Sequence, residues 1–149
     1  VTRVRPDTWT LVETGPKVRS WGFVRPGGAW TPWREFLGVT SRRHDHQAQY
    51  PVSPTAAAKN HPIMRGFPEK WVTPMDELYV IEKTWPKTVA LATSVSDADG
   101  KTYPTIWTND FGGTRIFGTT YGHGNVTWLD PVFLTYVARG IRWAAGREN

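Results

Sequence analysis

The sequence predicts an α/β domain, and three observations carry that prediction. Thr88–Val95 (TVALATSV) is a run of strand length, rich in β-branched residues and Ala on both faces, the pattern of a strand covered on two sides. Phe133, Tyr136, Val137, Gly140, Ile141 and Ala144 recur at three- and four-residue spacing and predict a C-terminal amphipathic helix. With 149 residues the chain has the size of one domain with a real core.

In chain order, Trp9–Val12 (WTLV) alternates and predicts an edge strand. Trp21–Val24 (WGFV) is a short apolar strand that ends in the turn signal Arg25-Pro26-Gly27-Gly28. Thr31 and Pro32 open a short helix with Trp33, Phe36 and Leu37 on one face, and Gly38 ends it. Ser41–Gln49 (SRRHDHQAQ) reads as a polar loop, Tyr50–Val52 as a strand, and Ser53–Asn60 as a connector in which Pro54 opposes a long strand. Leu78–Ile81 has strand length. Asp97–Lys101 (DADGK) is a turn. Thr105–Asn109 and Thr114–Thr120 predict a hairpin around Phe111-Gly112-Gly113. Asp130 caps the last helix, Pro131 opens it and Gly146 closes it.

Composition excludes several classes. There is no Cys, so disulfides, thiolate metal sites and a Cys nucleophile are ruled out. The net charge of +5 lies entirely in Val1–Arg43, with eight Lys/Arg against three Asp/Glu; the remainder has ten of each. No basic stripe with interleaved aromatics accompanies it, so a solvated basic segment is expected and not a nucleic-acid partner. No apolar run approaches membrane-spanning length, and the N-terminus lacks the apolar region of a signal peptide, which leaves the compartment open. Nine Trp, five Tyr and six Phe are a heavy aromatic load. Most are expected to fill the core. A Trp in a loop also suits a sugar site, because its ring face packs on the apolar face of a pyranose.

Four motifs follow in order: His61–Pro68 (HPIMRGFP), Asp76–Tyr79 (DELY), Phe111–His123 (FGGTRIFGTTYGH) and Arg139–Arg147 (RGIRWAAGR). Together they resemble the C-terminal part of the ThuA-like (trehalose utilisation) family, over roughly Trp21–Gly146 and most strongly from His61 onward. The resemblance implies a flavodoxin-like, class I glutamine-amidotransferase-like sheet flanked by helices, incomplete on its N-terminal side. It assigns residues 21–149 to the ThuA-like domain and leaves 1–20 unassigned. The amidotransferases of that superfamily use a Cys–His–Glu triad, which this chain cannot build. Where related proteins carry a His after the GFV-type strand, Pro26 or Gly27 stands here.

The candidate catalytic residues are His123, Asp76 and Glu77. Glycines flank His123 and let the chain turn sharply at an expected strand end, where open α/β sheets place their ligands. Asp76 and Glu77 are neighbours and point to opposite faces of a strand, so one can face a pocket while the other anchors a loop. His46, His61, Tyr79 and Arg115 are candidate substrate contacts. His61 precedes Pro62, which biases it to extended geometry, and it suits fixing a turn by bonding to backbone better than it suits ligand contact. If extended, His44 and His46 project to one side, beside Asp45, and form a weak candidate site for a divalent metal. No Ser-centred nucleophile elbow is present.

The resemblance implies a carbohydrate-metabolism protein that acts on or binds a sugar or keto-sugar, with His and carboxylates moving protons. A non-catalytic carbohydrate-binding or assembly subunit with a degenerate site is the alternative, so enzyme activity stays open. The expected partner is a small carbohydrate, and self-association would cover exposed sheet edges.

Overall fold

A computed structural model describes residues 3–5, 8–9 and 31–147. Strands β1 (Arg3–Arg5) and β2 (Thr8–Trp9) pair with each other. Beyond Trp9, the WTLV strand lies outside the described residues, as do the WGFV strand and the Arg25–Gly28 turn. The rest is mixed α/β: helix α1 (Thr31–Leu37), strands β3 (Val39–Ala48), β4 (Pro51–Pro54), β5 (Trp71–Val72), β6 (Asp76–Thr84), β7 (Val89–Val95), β8 (Thr102–Phe111), β9 (Thr114–Thr119) and helix α2 (Pro131–Ala144). Strands β3 and β6 form one antiparallel ribbon, and a five-stranded antiparallel sheet runs β5-β4-β7-β8-β9. The mixed α/β class with flanking helices is as expected. All described ladders are antiparallel, so any parallel portion of a flavodoxin-like sheet is not among the described residues. No described helix is long and apolar enough to cross a membrane.

The segment Ser41–Gln49 is not a loop. It forms most of β3, paired with β6 from Val39↔Thr84 to Ala48↔Asp76. Its polar composition hides a strand because its buried polar groups have partners. Ser41 Oγ donates to the Val80 carbonyl at 3.0 Å, and the buried Asp45 carboxylate accepts from Ser96 Oγ at 2.6 Å and Arg43 Nη1 at 3.2 Å. A buried polar group costs little once its hydrogen bonds are made. Pro54 does not interrupt β4; it ends it, before a 3-10 turn at Ala56–Ala58.

The β8–β9 hairpin forms where expected. Phe111 pairs with Thr114, and the two linking residues, Gly112 and Gly113, have φ of 60° and 83°. A two-residue turn matched to the strands' twist needs positive φ at both positions, which glycine adopts without steric cost.

Helix α2 starts as its sequence dictates: the Asp130 carboxylate accepts from Val132 N at 2.8 Å and Phe133 N at 2.9 Å. Its buried face carries Phe133, Tyr136 and Gly140, while Ile141 turns to solvent. Ala144 is exposed as well, so the expected face runs two residues too far: Ile141 has rotated off the seam, and Ala144 lies at the helix end. Tyr136 is the hub of the core. Its ring centroid lies 5.3 Å from Phe133, 5.7 Å from Trp71 and 6.4 Å from Phe117, in edge-to-face arrangements. Such pairs contribute about 0.5–1.5 kcal/mol each beyond their burial.

On another part of the sheet, α1 ends against β8. Asn109 Nδ2 donates to the carbonyls of Glu35 and Phe36, and Trp107 Nε1 to that of Leu37, so side chains of β8 satisfy the helix's last carbonyls. Gly38 follows with φ of 81°, and a Cβ there would sit 2.8 Å from Asn109 Cβ. Gly38→Ala should lower unfolding free energy by about 2–4 kcal/mol in urea titrations, from left-handed backbone strain plus overpacking. A loss under about 0.5 kcal/mol, the range of ordinary surface changes, would contradict the tight approach of α1 to β8.

Candidate functional site

Strand β6 brings the two acidic residues of the DELY motif to the start of the ribbon, and they do different things. Asp76 is fully buried. Its carboxylate accepts three backbone N–H groups: Glu77 at 2.8 Å, Gly122 at 2.8 Å and His123 at 3.2 Å. The last two belong to the loop after β9, so Asp76 fastens that loop to β6.

Glu77 has a nearly buried side chain, 11% exposed, and it is the centre of a cluster. Its Oε2 lies 3.5 Å from His44 Nδ1, and its Oε1 lies 3.6 Å from His123 Nε2. Both imidazoles are substantially exposed, His44 at 40% and His123 at 53% of their side chains. Tyr79 joins them: its hydroxyl is hydrogen-bonded to Glu77, and its ring lies 5.6 Å from that of His44. Burial first, and then the Glu77 carboxylate, push the Tyr79 phenol up to about 12. It therefore stays protonated across the physiological range and is a hydrogen-bond donor to the carboxylate.

A carboxylate only accepts, so ring nitrogens facing it carry the proton. His44 Nδ1 also sits 2.9 Å from the Asp45 carbonyl, a second acceptor. In the neutral rings the lone pairs then belong to Nε2 of His44 and Nδ1 of His123. The cluster is a buried carboxylate that orients two solvent-facing bases, beside a protonated phenol.

Local sequence explains each placement. Between the pairs His44↔Tyr79 and Gln47↔Glu77, β3 has one residue more than β6. That bulge re-aims side chains and breaks the two-residue alternation expected to align His44 with His46. Asp45, inside the bulge, is held by Ser96 and Arg43. Across the site, Gly122 has φ of 117°, which lets the loop turn so that two successive amides reach Asp76.

The structure thus gathers Asp76, Glu77, Tyr79, His44 and His123. The remaining expected contacts make their described interactions elsewhere. His61 Nδ1 accepts from Ile63 N at 3.3 Å, capping the 3-10 turn Pro62–Met64, and its ring packs against Trp143. Arg115 Nη1 donates to the Trp143 carbonyl at 3.3 Å and its guanidinium lies over the Trp143 ring. His46 is exposed, and its carbonyl accepts from Tyr50 Oη at 2.6 Å. Among the described residues no three His, Asp or Glu side chains are arranged to hold a metal ion. Sequence reasoning missed the contact of His44 with Glu77, because it depends on a long-range register and a bulge. It also missed the Asp45–Ser96 bond, across 51 residues, for which no local signal exists.

Replacing Asp76 by Ala should destabilise the fold by about 3 kcal/mol, since it strands buried amides that each cost about 1–3 kcal/mol. Amide exchange at Gly122 and His123 should accelerate, and Asp76→Asn, which keeps one carbonyl acceptor, should lose less. Unchanged exchange at those two amides in Asp76→Ala would show that the loop is held by something else.

The ThuA family profile, described as trehalose utilisation, matches residues 21–144. Two solved structures are similar. A ThuA-like protein from Parabacteroides merdae is 32% identical with a TM-score of 0.58, over 69% of this chain and 40% of that one. A ThuA-like protein from Bacteroides uniformis shares the fold with a TM-score of 0.63 at 17% identity, over 77% of this chain and 51% of that one. The chain therefore spans about half or less of the length of these structures. No curated protein matches it. By the extent of the profile match, and with these solved structures as neighbours in fold, the chain belongs to the ThuA family.

Proposed function

We propose that this chain acts on a sugar, and specifically on an oxidised keto-sugar, by moving a proton next to the carbonyl. One observation carries the reading: the Glu77 carboxylate lies within ion-pair distance of two exposed imidazoles, those of His44 and His123. The class of substrate comes from family membership, whose description is trehalose utilisation.

In this reading His123 is the general base. Its Nε2–H is directed at Glu77, and Nδ1 takes a proton from the carbon beside the substrate carbonyl. The electron pair of that C–H bond moves into an enediolate. A protonated His44 then hydrogen-bonds the enediolate oxygen and can pass a proton to it. Glu77 orients both rings and offsets the positive charge of an imidazolium, the part a buried carboxylate plays toward a catalytic His. Tyr79 restrains Glu77 through its hydrogen bond. Asp76 is fully buried and acts as a positioning residue, through the His123 loop.

The test is exchange of the proton next to the carbonyl. Wild-type protein is incubated with a keto-pyranoside in deuterated water, and mass spectrometry follows deuterium uptake at the adjacent carbon. His123→Ala should slow uptake by about 10²–10⁴-fold, the usual contribution of a positioned general base. Its melting temperature should barely move, because the ring is half-exposed. Undiminished uptake in His123→Ala would remove His123 from this role.

A further inference from the structure

Past His123 the chain carries exposed apolar side chains. A 3-10 turn, Asn125–Leu129, follows the His123 loop directly. Trp128 on this turn is 50% exposed, with Met75 and Val126 also well exposed. The indole is nonetheless fixed in place. Its only polar atom, Nε1, donates to the Gly122 carbonyl at 2.8 Å, one residue before His123. Its ring meets Phe133 edge-to-face with centroids 5.0 Å apart. The turn is tied to β6 as well, since Thr127 Oγ1 donates to the carbonyl of Met75, the residue before Asp76. Trp128 and His123 are therefore held by one loop, and that loop is held by Asp76.

A large aromatic surface with its polar edge already bonded has nothing left to offer a ligand except its apolar area. The loop that holds it also carries His123, whose imidazole faces the Glu77 carboxylate. A pyranose has the matching form, with a patch of C–H bonds on one ring face and hydroxyls around the rim. Packing of that face on an indole gains dispersion and hydrophobic contact while the rim keeps its hydrogen bonds. A purely apolar partner reaching from this ring to His123 would desolvate the imidazole without compensation.

We propose that Trp128 is the platform on which the apolar face of a pyranose ring packs, holding the sugar against His123. This rests on the carbohydrate reading of the Glu77 site. It adds a binding residue outside the ionisable cluster, one that sets which sugars fit. Ring face matters more than net charge at such a platform: a pyranose with an axial hydroxyl on the packing face binds less well than its equatorial epimer.

The test follows the indole N–H resonance of Trp128 in wild-type protein, assigned by its disappearance in Trp128→Phe. The probes are methyl glucoside, methyl galactoside and a keto-pyranoside, with binding constants measured in parallel by calorimetry. A saturable shift of the Trp128 resonance by at least one probe is expected, with at least ten-fold weaker binding in Trp128→Ala and partial recovery in Trp128→Phe. Saturable binding that leaves both the Trp128 resonance and the affinity of Trp128→Phe unchanged would overturn the platform while sparing the carbohydrate reading. No binding of any probe to wild type would overturn both. A resonance that moves with protein concentration and not with sugar would assign the patch to self-association and overturn the platform. The wild-type titration decides the matter even if Trp128→Ala does not fold.

Discussion

The site depends on one buried carboxylate. Asp76 has no exposed surface, and its two oxygens collect three amides, two of them from a loop 46 and 47 residues away. Taking a charge out of water costs several kcal/mol unless hydrogen bonds replace its hydration, and here the backbone supplies them. That single arrangement joins β6 to the end of β9. His123 and, through Gly122, Trp128 take their positions from it. The chemistry proposed for Glu77 is available only because its neighbour in sequence has been committed to structure.

The division between the two acidic residues shows what a pair of adjacent carboxylates on a strand can do. Successive side chains leave a strand on opposite sides. One is surrounded by amides and closes a loop. The other is oriented by a phenol and faces two imidazoles. Two carboxylates directed into one site would repel and hold a proton between them. Separation by strand alternation avoids this, and leaves Glu77 alone to face the two imidazoles.

Much of the fold was legible in the sequence. The Gly112-Gly113 hairpin, the Asp130 cap with Pro131, and the strand Thr88–Val95 rest on local chemistry that survives in any context. The errors came where tertiary contacts decide. Ser41–Gln49 looked like a loop because nothing local shows that Asp45 will meet Ser96 or that Ser41 will meet Val80. Ile141 looked like a core residue because a three-and-four pattern does not say how wide the covered face is. For the site, the residue types in DELY and in the GH motif were visible, and so was the distinct geometry of Asp76 and Glu77. The convergence of His44 was not, since it requires the β3 bulge and a ladder of 35 residues' separation. His61 and Arg115, also in recognisable motifs, make their described hydrogen bonds to a turn and a helix end.

The central claim is that Glu77 and its two imidazoles form a preformed sugar site. It is tested most directly by thermal unfolding of wild type and Glu77→Gln across a panel of pyranosides and keto-pyranosides. A ligand that binds only the native state raises the unfolding temperature, by about 2.7 kcal/mol of added stability at a hundred-fold excess over its dissociation constant. The account predicts a rise for wild type with keto-pyranosides, and a much smaller rise for Glu77→Gln, in which the charge that aligns both imidazoles is gone. An equal rise in the two proteins, or no rise with any sugar in wild type, would contradict it.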